Sequence, residues 1–364
     1  MRVAFLADAN AINTKSWVDF YATELGHDVH VVSINQRGEF AKGVTFHPLG
    51  DECGTHSFGG KLAYIARAGQ VARVVRDIGP DLVIGYRVAS YGYLAARTGF
   101  HPLVVAAQGQ QIVVPSNSWP KRMAAKTAVR RADLINSWAP HMTAKLVELG
   151  ADPDKILTCP RGIDLTLFGG ANGSGRDIDV VTTRSLHRWY HLDVVVRAIG
   201  LLSSGQRRVT GVIAGEGEER GELESIIEEM GMTGRVTLPG PVSYAGLPGL
   251  LGRSRVYVSP VPSDGVSASL LEAMAMGVFP IVRDIEANRL WVEEGRNGLL
   301  VAGGEPRDYA GAIERALSDD DLRARAAEEN RRIVEERGNI AKNLRRIGAA
   351  HEELVASAGR GRAC

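Results

Sequence analysis

The chain has 364 residues, too many for one ordinary α/β layer stack and suited to two domains of roughly 150 to 180 residues each. Apolar residues make up 45% and charged residues 23%, which excludes a disordered chain and allows a sizeable core. With 43 Lys plus Arg against 42 Asp plus Glu the formal net charge is +1, so no overall field selects nucleic acid, and any phosphate must be bound locally.

In chain order, short β-branched runs alternate with helical stretches: a strand over 3–7, a helix over 17–25, a strand over 29–33, a helix over 61–78 and a strand over 82–85. The βαβ rhythm continues through a strand at 103–107, a helix at 121–131, a strand at 134–136, a helix at 141–150 and a strand at 156–159. A parallel, doubly wound domain is expected. Residues 169–175 are Gly-rich with linker composition, and the domain boundary is placed there. The rhythm then resumes with strands at 179–183, 210–214, 236–238, 256–258, 279–282 and 299–301. Helices at 193–202, 220–230 and 269–276 alternate with them, and helical segments over 319–337 and 340–355 close the chain. The expected architecture is two Rossmann-like α/β domains with parallel sheets, facing a cleft, over 1–168 and 176–340, followed by a C-terminal helix and tail over 341–364.

Cys53, Cys159 and Cys364 lie far apart without CxxC spacing, so neither a disulfide framework nor a zinc site is expected, and a reducing cytoplasm is the natural compartment. The opening run Val3 to Ala7 is too short for a signal h-region, and no apolar stretch approaches membrane-spanning length. No histidines show metal-binding spacing such as HExxH. Asp177-Ile178-Asp179 imitates a metal-binding DxD but precedes a strand beside the linker and is read as chance. The basic residues Lys121, Arg122, Lys126, Arg130 and Arg131 recur at helical spacing. They are read as a solvated helix face, with peripheral contact to anionic lipid as the alternative.

Several loops occur in a characteristic order: Arg184-Ser-Leu, Gly215-Glu-Gly217, the stretch from Pro262 to Gly277 ending in Leu271-Glu-Ala-Met-Ala-Met-Gly277, and Gly295-Arg-Asn-Gly-Leu-Leu-Val301. Earlier signposts are Gly26-His-Asp-Val-His30, Pro80-Asp-Leu-Val83 and Pro160-Arg-Gly-Ile-Asp164. In this succession the chain resembles the retaining family-four glycosyltransferases of the GT-B fold. That resemblance implies an N-terminal acceptor-binding domain and a C-terminal domain for a nucleotide diphosphate sugar donor. It also implies a metal-independent enzyme with no cofactor beyond its donor, acting on a hydroxyl of a small molecule, a glycan or a lipid-linked acceptor.

The family's pair of acids, seven residues between them, falls here on Asp264 and Glu272, although the first is commonly Glu. Asp264 is assigned to sugar hydroxyls and Glu272 to the ribose. Taken alone, Asp264 reads first as a turn residue of Ser-Asp-Gly, and Ser269-Leu-Leu-Glu272 is equally a capping box. The helix opening near Ser267 and Ser269 is expected to present N–H groups to a diphosphate, with Leu270 and Leu271 also placed at the donor. Arg184, just past a strand, is assigned to the leaving diphosphate. Where the family adds a Lys the chain has Trp189, and Arg188 is taken as the substitute. Gly215 is expected to let the donor approach the backbone, and Val242 to face the nucleobase by resemblance only.

In the acceptor half, Asn13 stands where related sequences often show His, and Gln108-Gly-Gln-Gln111 replaces a landmark that is commonly aromatic or His followed by Gly. Amides keep hydrogen-bonding capacity and lose acid/base capacity, so Asn13, Gln108 and Gln111 read as sugar-binding residues. The bland alternative for Gln108 to Gln111 is a solvated loop. Rival readings of the whole are a nucleotide-sugar epimerase or hydrolase on the same fold, or a nonenzymatic nucleotide-sugar-binding protein.

Overall fold

A computed structural model of the chain describes residues 1–34, 38–49, 60–108, 118–169, 175–203 and 208–362. It divides into two compact units, the first formed by Met1–Pro160 with Ala341–Cys364 and the second by Arg161–Ile340.

Among the described residues the first unit holds a sheet of seven parallel strands in the order β3-β2-β1-β4-β5-β6-β7. These are β1 (Arg2–Leu6), β2 (Asp28–Ser33), β3 (Val44–Pro48), β4 (Leu82–Tyr86), β5 (Leu103–Ala107), β6 (Leu134–Ser137) and β7 (Ile156–Thr158). Val3, Ala4, Phe5 and Leu6 of β1 are all buried, as expected of a strand covered on both faces. The strand that periodicity misses is β3, an edge strand whose residues are partly exposed and which ends at Pro48.

The first helix spans Ile12–Thr23, so it starts before the predicted residue 17 and places Asn13 in its first turn instead of in a loop. After β4 a π turn over Arg87–Tyr91 runs into the helix Gly92–Arg97, with Arg87 at φ 70°. No sequence period announces that turn.

The C-terminal helix Ile340–Arg362 fastens to the first unit through a buried polar chain. The Tyr21 hydroxyl lies 2.8 Å from His351 Nδ1, and His351 Nε2 lies 2.8 Å from Asn136 Oδ1. Because the amide oxygen can only accept, Nε2 carries the hydrogen and Nδ1 accepts from the tyrosine. Tyr21 stacks on Trp17 at 6.2 Å and presents its ring to Phe5 edge-on at 5.3 Å. Burial pushes the His351 imidazole down to about 3, with the nearby His27 adding to the shift.

In the second unit six described parallel strands run in the order β10-β9-β8-β11-β12-β13. They are β8 (Ile178–Thr182), β9 (Gly211–Ala214), β10 (Val236–Gly240), β11 (Ser254–Ser259), β12 (Phe279–Arg283) and β13 (Leu299–Val301). Alternate residues feed two apolar layers: Val180, Val256 and Ile281 enter one, while Val181, Tyr257 and Val282 enter the other. Residues 161–168 belong to this unit, because Ile163 and Phe168 are fully buried in its second layer. The chain therefore passes between units at Pro160 and Arg161, ahead of the Gly-rich stretch that the sequence marks as a linker.

His351 is neutral in the folded chain and protonated below its ordinary value of 6.5 in the unfolded one. Its contribution is thus present above pH 6.5 and is lost as pH falls toward 3. His351→Gln is expected to cost about 2 kcal/mol near neutrality through weakened buried hydrogen bonds. It should also shrink the fall in thermal midpoint between about pH 7 and pH 5. Parallel midpoint curves for the two proteins would refute this account.

Candidate functional site

The strands β8 and β11 pair directly, Val180 opposite Val256 and Val181 opposite Tyr257, while the chain leaves β8 toward β9 on one side and β11 toward β12 on the other. Connections diverging in this way open a crevice at the carboxyl ends of the two strands. Arg184 lies just past β8, and Asp264 just past β11.

Their side chains meet there. Arg184 Nη2 donates to Asp264 Oδ2 at 2.8 Å and to Ser267 Oγ at 2.5 Å, the two ion-pair side chains being only 14% and 13% exposed. The guanidinium also lies 5.3 Å from the centroid of the Tyr190 ring. Burial opposes its charge, but Tyr257, Asp264 and Tyr190 outweigh burial and hold it above the usual arginine value. Its buried Nε has no hydrogen-bond partner among the described residues. The other oxygen of Asp264, Oδ1, accepts from the Gly265 amide at 2.8 Å.

Ser267 joins this pair to the helix Ala268–Ala275. Its hydroxyl accepts from the Leu270 amide at 3.2 Å, which makes Ser267 the N-cap, and Ser269 Oγ lies 3.3 Å away, itself 2.9 Å from the Tyr257 hydroxyl. The capping alternative offered by the sequence is corrected here. The amides of Leu270 and Leu271 are taken by Ser267, the second at 3.2 Å from its carbonyl, so the first-turn N–H groups left without an intrahelical acceptor are those of Ala268 and Ser269. The capping box from Ser269 to Glu272 does not form, because with Ser267 as cap Glu272 falls beyond the first turn.

Glu272 is 6% exposed, and among the described residues no hydrogen bond or ion pair reaches its carboxylate. Burial pushes its pKa up to about 7, against the opposing charges of Arg161 and Arg184. Arg161 is itself 7% exposed. It is held by Gly162, whose φ of 84° suits glycine and where a Cβ would strike the Gly338 carbonyl. The amide of Ile163 donates to that carbonyl at 2.8 Å, and Ile340 N donates to Ile163 O at 3.0 Å. Tyr244 borders the same group, its phenol pushed up to about 12 by burial and by Glu272.

Gly215 and Gly217 make room for protein backbone. A Cβ on Gly215 would run into the Arg184 carbonyl and one on Gly217 into that of Leu186. The two loops are stitched by Leu186 N to Glu216 O at 2.9 Å and Glu219 N to Leu186 O at 2.9 Å. The glycines thereby fix the height of the Arg184 loop above β9.

Arg188 is exposed at the start of the short turn Arg188–Tyr190, and among the described residues no hydrogen bond or ion pair engages its guanidinium. Val242 is half-buried just past β10, beside the turn Tyr244–Gly246 that Ser243 caps. In the first unit Gln108 is 6% exposed just past β5, and Asn13 is half-buried in its helix. Gln111 lies outside the described residues.

Sequence reasoning overlooked Arg161, Tyr190, Tyr244 and Tyr257. Arg161 lay inside a quoted loop signpost, Pro160 to Asp164, and a charged residue beside a glycine was the available signal. Tyr257 carries the only polar tip in the apolar run Val256 to Val258.

Comparison with known proteins agrees with this geometry. The sequence profile described as glycosyl transferases group 1 matches residues 171–333, and that described as glycosyl transferase 4-like matches residues 2–138. Alpha-D-kanosaminyltransferase of Streptomyces kanamyceticus is 30% identical over 137 residues, 38% of this chain and 36% of that protein. D-inositol 3-phosphate glycosyltransferase of Paenarthrobacter aurescens is 26% identical over 227 residues, 58% of this chain and 52% of that one. The chain thus spans about half or less of the length of these relatives. Two solved structures share the fold. Anabaena Alr3699/HepE, in complex with UDP and glucose, has a TM-score of 0.79 at 18% identity and covers 96% of this chain and 99% of its own. Sucrose-phosphate synthase of Thermosynechococcus elongatus has a TM-score of 0.85 at 18% identity, over 98% and 100% of the two chains. With two doubly wound parallel sheets and both halves matched in order, the chain belongs to the family-four-like, group 1 glycosyltransferases of the GT-B fold.

Proposed function

We propose that the protein transfers a glycosyl group from a nucleotide diphosphate sugar to an acceptor hydroxyl, with retention of configuration and without a metal ion. One observation carries the reading: a buried, anchored guanidinium and a buried carboxylate with no described partner flank one helix N-terminus, at the diverging strands of the second unit. The matched relatives named as glycosyltransferases, and the fold shared with a protein solved with UDP and glucose, support it.

Arg184 and the amides of Ala268 and Ser269 stabilise the negative charge that grows on the leaving diphosphate. Glu272 takes the ribose hydroxyls, which supply the donors that its buried carboxylate lacks. Asp264 sets the direction of Arg184 and faces the sugar hydroxyls. Val242 and the turn after it border the nucleobase, and Gly215 holds the Arg184 loop in place. Asn13, Gln108 and Gln111 contact the acceptor. The acceptor oxygen attacks the anomeric carbon on the face from which the diphosphate leaves. The leaving phosphate oxygen takes the hydroxyl proton, so no protein base is required.

Arg184→Ala is expected to lower kcat/KM by about 10²-fold or more, as for removal of one donor to developing charge. Asp264→Asn should keep nucleotide diphosphate binding while lowering turnover. Steady-state kinetics with calorimetric binding would separate these effects, and undiminished turnover in both variants would refute the assignment. Dialysis against EDTA should leave transfer unchanged, and product NMR should show the donor's anomeric configuration kept.

Ribose hydroxyls favour the ionised form of Glu272, whose free pKa is about 7, so nucleotide affinity is expected to weaken as pH falls through 7. Glu272→Gln should bind more weakly at pH 8 and flatten that dependence. Without nucleotide the sign reverses. A carboxyl raised from 4.5 to about 7 contributes stability below 4.5 that is lost as pH rises through 7. Glu272→Gln should therefore raise the thermal midpoint near pH 8 and leave it almost unchanged near pH 4.5. Affinity curves of equal slope for both proteins would exclude the ribose role.

A further inference from the structure

We propose that the helix Trp119–Arg131 is a membrane-docking surface that seats on anionic phospholipid, Trp119 and Met123 entering the interfacial layer while Arg122, Lys126 and Arg130 meet the headgroup phosphates. The sequence leaves this basic run between a solvated face and a lipid contact. The structure adds two exposed apolar side chains on that face.

Trp119 is 72% exposed and Met123 41%, and both stand one turn apart on the same helix. Trp119, Met123, Lys126 and Arg130 follow a four, three, four spacing and fall within about 60° of arc at 3.6 residues per turn, with Arg122 beside them. The opposite side is fastened by Ala125, Ala128 and Val129, at 7%, 0% and 2% exposure. The helix thus anchors through small residues and turns its large apolar ones outward, where folding gains nothing from them.

The charge on this face is local. Residues 118–131 contain five basic residues and no acid, in a chain whose formal net charge is +1. Lys121, Arg122, Lys126 and Arg130 form no ion pair with a described residue. Arg131 is the exception, turned back so that its Nη1 donates to the Ala96 carbonyl at 2.9 Å. A basic face carrying exposed Trp and Met has the chemistry of a helix lying in the plane of an anionic interface. Thirteen residues, about 20 Å of helix, cannot cross a bilayer but can lie along one. No helix in the described chain is long and apolar enough to cross a membrane. Nucleic acid would use the cations but leave the Met123 side chain without a role.

The proposal is independent of the transfer reaction and is tested on the full chain by co-sedimentation with vesicles of phosphatidylcholine, alone or mixed with phosphatidylglycerol. Binding is expected to the mixed vesicles at low salt and not to phosphatidylcholine alone. Trp119→Ala with Met123→Ala should weaken partitioning by about tenfold or more. Arg122→Glu with Lys126→Glu should abolish it. Both double variants alter exposed side chains, and an unchanged thermal midpoint would show that they fold. Two results overturn the proposal: vesicle binding by either variant equal to that of the parent, or binding to heparin and RNA without any to vesicles.

Discussion

The ion pair of Arg184 with Asp264 ties together the two central strands of the second unit at the one place where their connections part. A parallel sheet wound in both directions leaves the carboxyl ends of its middle strands uncovered, and whatever fills that gap sets the chemistry of the domain. Here a cation from the end of β8 and an anion from the end of β11 fill it, both largely withdrawn from water. Removing one partner of such a pair leaves the other charge uncompensated, a penalty of about 3 to 5 kcal/mol. The remaining parts follow from it. Ser267 caps its helix while accepting from the same guanidinium, and the glycines at 215 and 217 allow the neighbouring loop to press against the Arg184 backbone.

Next to this pair lies Glu272, buried and supplied by two arginines with charge but by no described residue with a hydrogen bond. A carboxylate in that condition is costly to the protein alone and gains from any ligand that brings donors. The contrast between an Asp264 that accepts a hydrogen bond at each oxygen and a Glu272 that has charge near it but no hydrogen bond separates the two acids physically. One organises the site, and under the proposed reaction the other is completed by the donor. Arg161 enters through the segment 161–168, which folds with the second unit because its apolar residues complete that unit's core.

The first unit repeats this winding order and adds a seventh strand at one edge. Gln108 is almost fully buried just past β5, at the carboxyl edge of a parallel sheet and kept from bulk water. Its C-terminal helix is fastened by a neutral histidine between a tyrosine and an asparagine, a buried chain in which each hydrogen bond fixes the tautomer needed for the other.

Local sequence determined the parallel α/β class, nearly every buried strand and the loops that carry Arg184, Asp264 and Glu272, since buried parallel strands and the helices between them write their periods directly into the chain. It did not reveal β3, whose edge position demands no continuous apolar run, or the π turn at Arg87, which follows from packing against neighbouring strands. It also left Glu272 balanced between a cap and a ligand, because a capping box and a binding motif share the same spelling. Tertiary structure removed the cap reading by placing the cap at Ser267, and it paired Asp264 with Arg184 and buried Arg161 beside Glu272. Those partners come from separate strands and loops, and contacts between residues so far apart in sequence are set by how the sheet is wound, which no local period encodes.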